Sequence, residues 1–600
     1  MRPYQTKYIE NAREILKLDD FFVVPVVVYE PWYEEQVHRA QRMRDLKREN
    51  MALLSENLFP ELEELHAASP DQIRDLEAFA DVLMDWSANL DPGVYVVIHD
   101  ALLSLYRFKK DRNNIIKELY KLGMGLYYLN RSLNGIEKRW TAPFRFRNEM
   151  VFTEAGSYLK FFEQIEDKDT RGYIIRALAN IAICAQDHKR RIAVSQQVLN
   201  IVRDDYYRQL QPDLPWDVFL RRTNQQMSAN RDTLSRGNLT TQELAAVLES
   251  CYEVFKPEAD NPDPNIRWLW PYYEMEYSCG FVDLQTTMER LERLIDQSSE
   301  DRYDTSSMYG SVQLSVYYGL LMRRDESLQT KLRHTKFLTH AYAKMMRVLL
   351  SCPVDKIDDY THYLICYVLT DYLEIDGVEP FAQIVPKLMR RFSGSMYVRS
   401  AQAADLMALL TGVIFDSDPA FFDDIPLLRE ANPEGKRAAV TDFGAKCGLF
   451  HDLGLFKMNL LRIMRTRDLF EREDQMARLH TVAARDDLRR CPSTAPYADV
   501  VYGHHSWYSG AGGYPEDYVR NDNPCRQMTD VLSVVAYLLD HFQGDPEEVL
   551  DQVRTQARKR FSPLVTAYLE EEAVQQGVSR ILTNEEPYYR RLYDGLTDRI

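Results

Sequence analysis

The chain has 600 residues, which is enough for several folded units and a large buried core. Its 74 Lys and Arg stand against 91 Asp and Glu, and the resulting formal charge of −17 argues against a general affinity for DNA, RNA or an anionic membrane surface. A phosphate ligand would therefore have to meet a local basic site, and the 8 scattered cysteines, which form no C-x-x-C pair, predict reduced, buried thiols.

The first segment, residues 1–170, has helical patterns but no recognisable functional motif. No early apolar segment follows Met1, which predicts the absence of a secretory signal. The apolar stretch at residues 21–29 contains Pro25 and is too short to span a bilayer, so a short β element is expected there. Asp-Pro-Gly at residues 91–93 predicts a turn. We expect a cytoplasmic protein with no membrane span.

Helical periodicity dominates residues 171–377 and predicts an all-α protein. Leu284, Met288, Leu291 and Ile295 recur at steps of four, three and four, which places one apolar stripe along a helix. Helices that follow one another in pairs resemble a tetratricopeptide-type repeat, which would recruit a protein or peptide partner. A plain helical bundle without a partner explains the same periodicity equally well. The predicted helices span residues 173–186, 190–203, 271–280, 283–297, 308–322 and 327–350.

A change of composition near residue 378 predicts that residues 378–600 form the last domain. This part contains a concentration of metal-ligand side chains between residues 451 and 505. Imidazole nitrogens bind divalent transition metals, and a carboxylate between them can bridge two ions. The pattern therefore predicts a site for one or two metal ions. The candidate ligands are His451, Asp452, His480, His504 and His505.

The sequence around these ligands resembles the HD-GYP subgroup of the HD superfamily of metal-dependent phosphohydrolases. An apolar helix that runs into His451-Asp452 and Gly454 resembles the signature helix of that superfamily. The resemblance covers roughly residues 385–600 and is specific in order and spacing. Its later motifs are His480, His504-His505, Gly513-Tyr514-Pro515 and Asn523-Pro524-x-Arg526.

The resemblance implies an HD-type helical domain after the repeat-like helical region. It also implies metal-dependent hydrolysis of a phosphodiester, in the best-known members cyclic di-GMP, with two or three iron or manganese ions as cofactors. By position, His451 would bind one ion and Asp452 would bridge two. The implied site residues are the metal ligands His451, Asp452, His480, His504 and His505, with Asp452 also catalytic, and the substrate-binding residues Arg399, Tyr514 and Arg526.

Several positions depart from the family pattern. Arg399 stands where an early His ligand is expected, and a guanidinium cannot bind a metal because it stays protonated and offers no lone pair. Leu455 replaces a phosphate-binding Lys. Ala536 replaces a late Asp ligand, with Asp530 and Asp540 nearby. We therefore expect at most one metal ion, iron or manganese.

These losses favour a bacterial signalling protein whose degenerate domain binds a nucleotide or cyclic dinucleotide phosphate and one metal, with weak or no phosphodiesterase activity. Arg399 would then supply a permanent positive charge at the vacated metal position. Alternatively, Arg399 would point away and pair with an acid such as Asp405 or Asp530. Two other functions stay open, namely an active phosphohydrolase with a remodelled site and a helical-repeat interaction scaffold.

Overall fold

A computed structural model of the chain describes residues 1–19, 31–85, 88–235, 237–353, 356, 359–429, 434–458 and 460–597. The β element expected at residues 21–29 lies outside these ranges. Within them the protein is all-α, as the periodicity predicts, apart from a two-residue hairpin of β1 (Met84–Asp85) and β2 (Ala88–Asn89). Short 3-10 or π turns join some helices, at Leu54–Leu58, Leu65–Ala67, Tyr158–Gln164, Arg231–Thr233, Tyr309–Gln313, Glu326–Leu328, Ala495–Tyr497 and Arg520–Asp522.

In the described part of the first 170 residues, seven helices are complete and an eighth begins. The turn expected at residues 91–93 is the beginning of α5, because the Asp91 carboxylate accepts hydrogen bonds from the backbone N–H groups of Gly93 and Val94, both at 3.0 Å. The helices are α1 (Pro3–Asp19), α2 (Pro31–Leu53), α3 (Phe59–Glu63), α4 (Pro70–Leu83), α5 (Pro92–Lys109), α6 (Arg112–Arg131), α7 (Lys138–Ser157) and α8 (Lys168–Cys184).

Residues 171–377 continue the succession of helices. Neighbours in sequence pack on each other from α7 to α9 and again from α11 to α14, but no regular unit emerges, so the tetratricopeptide-like repeat stays a prediction. The helices are α9 (His188–Arg203), α10 (Asp205–Leu210), α11 (Trp216–Ser228), α12 (Thr241–Ala259), α13 (Ile266–Ser278), α14 (Leu284–Gln297), α15 (Thr305–Met308), α16 (Leu314–Arg324), α17 (Leu332–Ser351) and α18 (Asp359–Asp371).

The remaining part, residues 378–597, is a cluster of shorter helices around one long helix. They are α19 (Phe381–Phe392), α20 (Gly394–Ser417), α21 (Pro426–Arg429), α22 (Lys436–Phe450), α23 (Leu453–Lys457), α24 (Leu461–Thr466), α25 (Glu471–Ala477), α26 (His480–Leu488), α27 (Ala498–Gly503), α28 (Arg526–His541), α29 (Pro546–Thr555), α30 (Pro563–Tyr568), α31 (Glu572–Thr583) and α32 (Glu586–Thr597).

The long helix α20 is the centre of this part. It packs against α22, α28, α31 and α32, and a side chain on Gly448 of α22 would collide with the backbone of Ala403, so glycine permits the close contact. Among the described residues, α20 is also the one helix with the length and apolar content of a membrane span. Because 61% of its most apolar window is buried inside the protein, α20 matches a core helix, which passes the same test.

The N-terminal helices pack directly on the C-terminal part. Helices α1 and α2 contact α24, and α2 also contacts α32, where the ring centroids of Trp32 and Tyr593 are 5.4 Å apart. Buried apolar side chains from Tyr4 to Leu592 form one continuous cluster. This core runs through all three predicted segments, 1–170, 171–377 and 378–600. The division of the chain into these segments stays a prediction.

Candidate functional site

The end of α22 positions His451 and Asp452. The His451 ring is buried just after the last helical residue, and its Nδ1 lies 2.7 Å from the backbone carbonyl of Gly448. Since a carbonyl only accepts hydrogen bonds, Nδ1 must carry the proton. The other ring nitrogen, Nε2, therefore faces the Asp452 carboxylate, with Oδ2 at 3.2 Å and no hydrogen-bond partner of its own.

His480 and His504 repeat this arrangement from two other helices. The Nδ1 atoms of His480 and His504 lie 2.8 and 2.6 Å from the carbonyls of Ala477 and Val501, each three residues earlier in the chain. Both Nδ1 atoms must therefore be protonated. The two Nε2 atoms face each other at 3.4 Å, so in the neutral rings two lone pairs point into the same space.

His505 and Tyr514 complete one side of the cluster. The His505 ring lies 4.1 Å from the ring of His504 and stacks on Tyr514 at 4.5 Å between centroids. Each of the three rings of His480, His504 and His505 offers one nitrogen, and these three nitrogens lie within 4.8 Å of one another. Asp452 Oδ1 is 3.7 Å from His480 Nε2. Three imidazole nitrogens therefore converge, and Asp452 Oδ1 lies beside one of them, that of His480.

His480, His504 and His505 are neutral near pH 7. Burial lowers the pKa of His504 and His505 well below the ordinary range, and the neighbouring imidazoles lower it further. Burial also lowers the pKa of His480, although the Asp452 charge opposes that shift. Neutral imidazole is the form that ligates metal ions, so these rings are in the ligating state without a further proton loss.

Asp452 carries the negative charge of the site. Burial alone would raise its pKa, but His451, Arg399 and His480 together hold the pKa of this carboxyl well below its usual range. Its Oδ1 lies 3.7 Å from His480 Nε2, whereas Oδ2 accepts a hydrogen bond from Arg399 Nε at 3.1 Å and also lies 3.2 Å from His451 Nε2. Asp452 thus presents one oxygen to His480, and its other oxygen faces both a guanidinium and His451.

Arg399 is held by three groups at once. Besides Asp452, it donates from Nη1 to the backbone carbonyl of Leu539 at 3.1 Å and from Nη2 to the carboxylate of Asp540. Burial opposes the charge of Arg399, but the carboxylates of Asp540 and Asp452 outweigh burial and raise its pKa. The partners expected from sequence are engaged elsewhere: Asp405 pairs with Arg591, and Asp530 pairs with Arg520.

The donor set fits one divalent transition metal ion. Its imidazole nitrogens and carboxylate oxygen are ligands that zinc, iron and manganese accept. The facing Nε2 atoms of His480 and His504 would repel each other unless a cation lay between them. Each imidazole of His451, His480 and His504 also donates its other N–H to a backbone carbonyl, which is the usual way proteins orient a metal-binding histidine.

Gly454 allows the His451-Asp452 turn to reach His480. A Cβ atom at this position would lie 1.9 Å from the backbone oxygen of His480, so any side chain would force α23 and α26 apart. The glycine that follows the His-Asp pair is therefore required by close backbone packing. It sets the separation between Asp452 and His480.

The loop that carries Tyr514 is fastened to the C-terminal helices. The backbone N–H groups of Tyr508 and Ser509 donate to the carbonyls of Arg560 and Lys559 at 2.9 and 3.1 Å. Ser506 and Gly513 pair across the base of the loop. These contacts hold the Tyr514 ring against His505.

The structure brings together most, but not all, of the residues expected from sequence. Arg526 does not join them, because it pairs with Asp424 instead. Arg526 is the first residue of α28 and precedes Asp540 by fourteen residues, which is about 21 Å along the helix. Asp530 also lies away from Arg399. The residues that lie together are His451, Asp452, His480, His504, His505, Arg399 and Tyr514.

Sequence reasoning underestimated two residues. Asp540, noted only as a neighbour of the missing late Asp, is the residue of α28 that reaches Arg399, whereas Ala536 is buried in the core. Lys457 follows the position where Leu455 replaces the expected Lys, but its Nζ turns to Asp487 at 2.8 Å and to Gly135 O at 3.1 Å. For Asp540, the available signal was its position four residues after Ala536, one turn further along the helix. For Lys457, the signal was a charged side chain in a buried segment.

No protein-family model matches this chain, and no significant match is found among curated proteins or solved structures. What the site can do follows from its own side chains.

Proposed function

We propose that the chain is a bacterial signalling protein whose residues 378–600 form a degenerate HD-GYP-like domain with one metal site and weak or no phosphodiesterase activity. The observation that carries this proposal is the 3.4 Å approach of the Nε2 atoms of His480 and His504, both of which are lone-pair donors. His480, His504, His505 and Asp452 would hold the ion. Iron or manganese is the metal that the resemblance favours.

Arg399 is the reason for expecting one ion and little hydrolysis. A bound divalent ion would supply Lewis-acid activation of water and of a phosphoryl oxygen, and a pair of ions would clamp both the attacking and the leaving oxygen. Asp452 Oδ2, the oxygen that would bridge to a second ion, is taken by the guanidinium of Arg399. The permanent charge of Arg399 replaces the charge of that ion without offering a ligand position.

The same arrangement supports binding of a nucleotide or cyclic dinucleotide phosphate. About a third of the Arg399 side chain (32%) is exposed beside Asp452, so part of its charge faces outward. Tyr514 presents an aromatic ring next to the histidines, and the guanidinium of Arg478 lies over that ring at 5.5 Å. Arginine donors recognise phosphate oxygens, and an aromatic ring can stack on a base.

Metal content of purified protein tests the proposal directly. After treatment with a chelator and reloading with Mn²⁺ or, without oxygen, Fe²⁺, elemental mass spectrometry should find one ion per chain. His504→Ala and Asp452→Asn should lose it while keeping the parent circular dichroism spectrum. His340→Ala is the matched control, because His340 lies on α17 with an exposed side chain outside the cluster. Equal metal content in His504→Ala and the parent would refute the site.

Hydrolysis assays separate the proposal from its alternatives. Metal-loaded protein is incubated with cyclic di-GMP and with bis(p-nitrophenyl) phosphate. The proposal expects turnover that is slow or undetectable. Rapid turnover that disappears in His504→Ala would establish the active phosphohydrolase instead, and a protein that takes up neither metal nor nucleotide would leave the interaction scaffold.

A further inference from the structure

A large open cavity lies in the N-terminal half of the chain, far in sequence from the histidine cluster. Its volume is about 1120 Å³, slightly above the range of about 300–1,000 Å³ that is usual for small-molecule sites. Helices α4, α5, α6, α7, α8 and α11 form its walls, and Tyr363 of α18 closes one side. Among the described residues, none of the 378–600 segment lines it.

The charge of the cavity lining is opposite to that of the whole chain. Among its described residues, the lining contains five cationic side chains and one carboxylate, Asp81. Asp81 is already paired with Lys121 at 2.7 Å. The arginines of the lining therefore meet no free carboxylate within it. They are Arg131, Arg145, Arg176 and Arg222.

Three of these arginines have no ionic partner in the part of the chain that the structure describes. The half-buried Arg145 donates only to the side-chain oxygen of Asn134, at 3.3 Å. Burial lowers the pKa of Arg145, which is the effect of taking a cation out of water without an opposite charge. Arg176 and Arg222 form neither a hydrogen bond nor an ion pair with any described residue. Arg176 is half-buried and Arg222 is exposed, so burial without a counter-charge is costly mainly for Arg145, and an anion in the cavity would relieve that cost.

Tyrosine side chains divide the arginines into two groups. The charges of Arg176 and Arg222 both act on the hydroxyl of Tyr120, and those of Arg131 and Arg145 both act on the hydroxyl of Tyr127. The two tyrosines are seven residues apart on α6, which is two helical turns or about 10.5 Å. The four arginines come from α6, α7, α8 and α11, so the cavity has two cationic groups, one acting on Tyr120 and one on Tyr127.

The lining also offers aromatic faces beside these groups. The rings of Tyr120 and Tyr173 are 5.1 Å apart and inclined by 30°. Tyr95 and Tyr128 add further ring surface. Burial raises the pKa of Tyr120 and Tyr127, so both hydroxyls stay protonated and can donate to an anion. Guanidinium groups bind phosphate oxygens in pairs, and tyrosine faces accept planar rings.

We propose that this cavity is a binding site for a nucleotide, a ligand whose phosphates pair with the arginines and whose base packs on the tyrosine rings. The site is independent of the histidine cluster and does not rest on the function proposed for it. An acidic peptide is the competing class of ligand. Seven aromatic side chains line the cavity beside the arginines, and ring faces that can stack on a base favour the nucleotide over an extended peptide.

Isothermal titration calorimetry on the full chain tests the proposal, with ATP, GTP and cyclic di-GMP as separate probes at physiological salt. We expect at least one of them to bind. The double variant Arg176→Gln/Arg222→Gln should weaken that binding at least tenfold, because it removes one of the two cationic groups. Arg221→Gln is the matched control: Arg221 is exposed, adjacent in sequence and absent from the lining. Its affinity should equal that of the parent.

The outcomes also separate this site from the histidine cluster. Arg176→Gln/Arg222→Gln should keep the parent metal content, and the binding event that this double variant loses should remain in His504→Ala. Three results would overturn the proposal: binding of none of the three nucleotides, a loss of binding in His504→Ala but not in the double arginine variant, or binding of a glutamate-rich decapeptide in place of all nucleotides. Equal melting temperatures of parent and variants verify that the fold is intact.

Discussion

Arg399 Nε donates to Asp452 Oδ2 at 3.1 Å, and the same guanidinium reaches Asp540 on α28. A cation with no ligand capacity therefore occupies the side of Asp452 that faces away from His480. The arrangement neutralises a buried carboxylate, yet it leaves Oδ1 free to face His480. On the proposed function, this one pair of residues would explain why the histidine cluster holds one metal ion and not two.

Arg399→His should restore that second position. The imidazole would add a nitrogen donor next to Asp452 and Asp540, and removal of the guanidinium would free Asp452 Oδ2 to bridge. We expect the Mn²⁺ content to rise from one toward two ions per chain and hydrolysis of bis(p-nitrophenyl) phosphate to rise by about tenfold or more. Arg437→His, on an exposed ion pair with Asp416, serves as the control. Unchanged metal content in Arg399→His would show that another feature excludes the second ion.

Gly454→Ala should damage the histidine cluster without touching a ligand. The added methyl group would meet the backbone of His480 at 1.9 Å and push α23 away from α26, so Asp452 and His480 would separate. Overpacking of this kind costs about 1–3 kcal/mol of folding free energy. We expect a lower melting temperature and a loss of bound metal. Gly172→Ala on α8 is the control, because its new Cβ would come no closer than 3.4 Å to Leu214.

Much of the fold could be predicted from periodicity, whereas helix ends could not. The helix expected at residues 173–186 spans Lys168–Cys184, because the Asp167 side chain caps the N–H of Thr170 at 2.8 Å. The helix expected at 271–280 begins at Ile266, and Pro271 is accommodated inside it. Apolar spacing reports which face is buried, but a single capping side chain decides where a helix starts.

Two other helices show the limit of the same pattern. The continuous helix expected at residues 308–322 contains a wider π turn at Tyr309–Gln313. The one expected at 327–350 is a short 3-10 turn followed by α17 from Leu332. The spacing of apolar residues does not reveal one extra residue in a helical turn. The extra residue shifts the apolar stripe by less than the width of the buried face.

The candidate site divides in the same way. The order His451-Asp452, His480, His504-His505 and Tyr514 predicted which side chains meet, because the local helix ends fix their directions. The contact of Arg399 with Asp540 joins residues 141 positions apart and depends on which face of α28 turns inward. Sequence alone favoured Asp405 or Asp530 as the acid that pairs with Arg399, and only the packing of α28 on α20 selects Asp540.

Lys457 connects the histidine domain to the turn between α6 and α7. Its Nζ donates to both carboxylate oxygens of Asp487 at 2.8 Å and to the carbonyl of Gly135, and neither Lys457 nor Asp487 is exposed. Lys457→Met would leave Asp487 buried with Arg490 as its remaining cation. We expect a clear drop in melting temperature.

The double variant Lys457→Met/Asp487→Leu distinguishes the cause of that drop. Removal of one member of a buried ion pair leaves an uncompensated charge, whereas replacement of both members by apolar groups restores most of the stability. The double variant should therefore melt at a higher temperature than Lys457→Met. If it melts lower, the contribution of Lys457 comes from its bond to Gly135 rather than from its charge.

Arg467 is the strongest ionic link between the N-terminal and C-terminal parts. Its guanidinium is fully buried and binds Asp91 at 2.8 and 2.9 Å and Glu473 with two contacts of 2.8 Å. Tyr8 of α1 donates to Asp91 at 2.6 Å from the other side. Arg467→Met would leave two buried carboxylates without a cation, so we expect a loss of about 3–5 kcal/mol of folding free energy, measured by urea denaturation.

The pH dependence of this loss identifies its electrostatic origin. Burial opposes ionisation of Asp91, but Arg467 outweighs it and lowers the pKa of Asp91, so in the parent this contribution to stability is present above the unfolded pKa of about 4 and is lost as pH falls further. Without Arg467, burial is opposed only by the hydrogen bonds from Tyr8 and the backbone, so we expect the pKa of Asp91 to rise and Arg467→Met to lose stability as pH rises above about 4. The difference in urea midpoint between parent and variant should therefore be larger at pH 7 than at pH 5. A difference that is equal at both pH values would mean that Arg467 acts through packing, for example against the Phe470 ring 3.7 Å away.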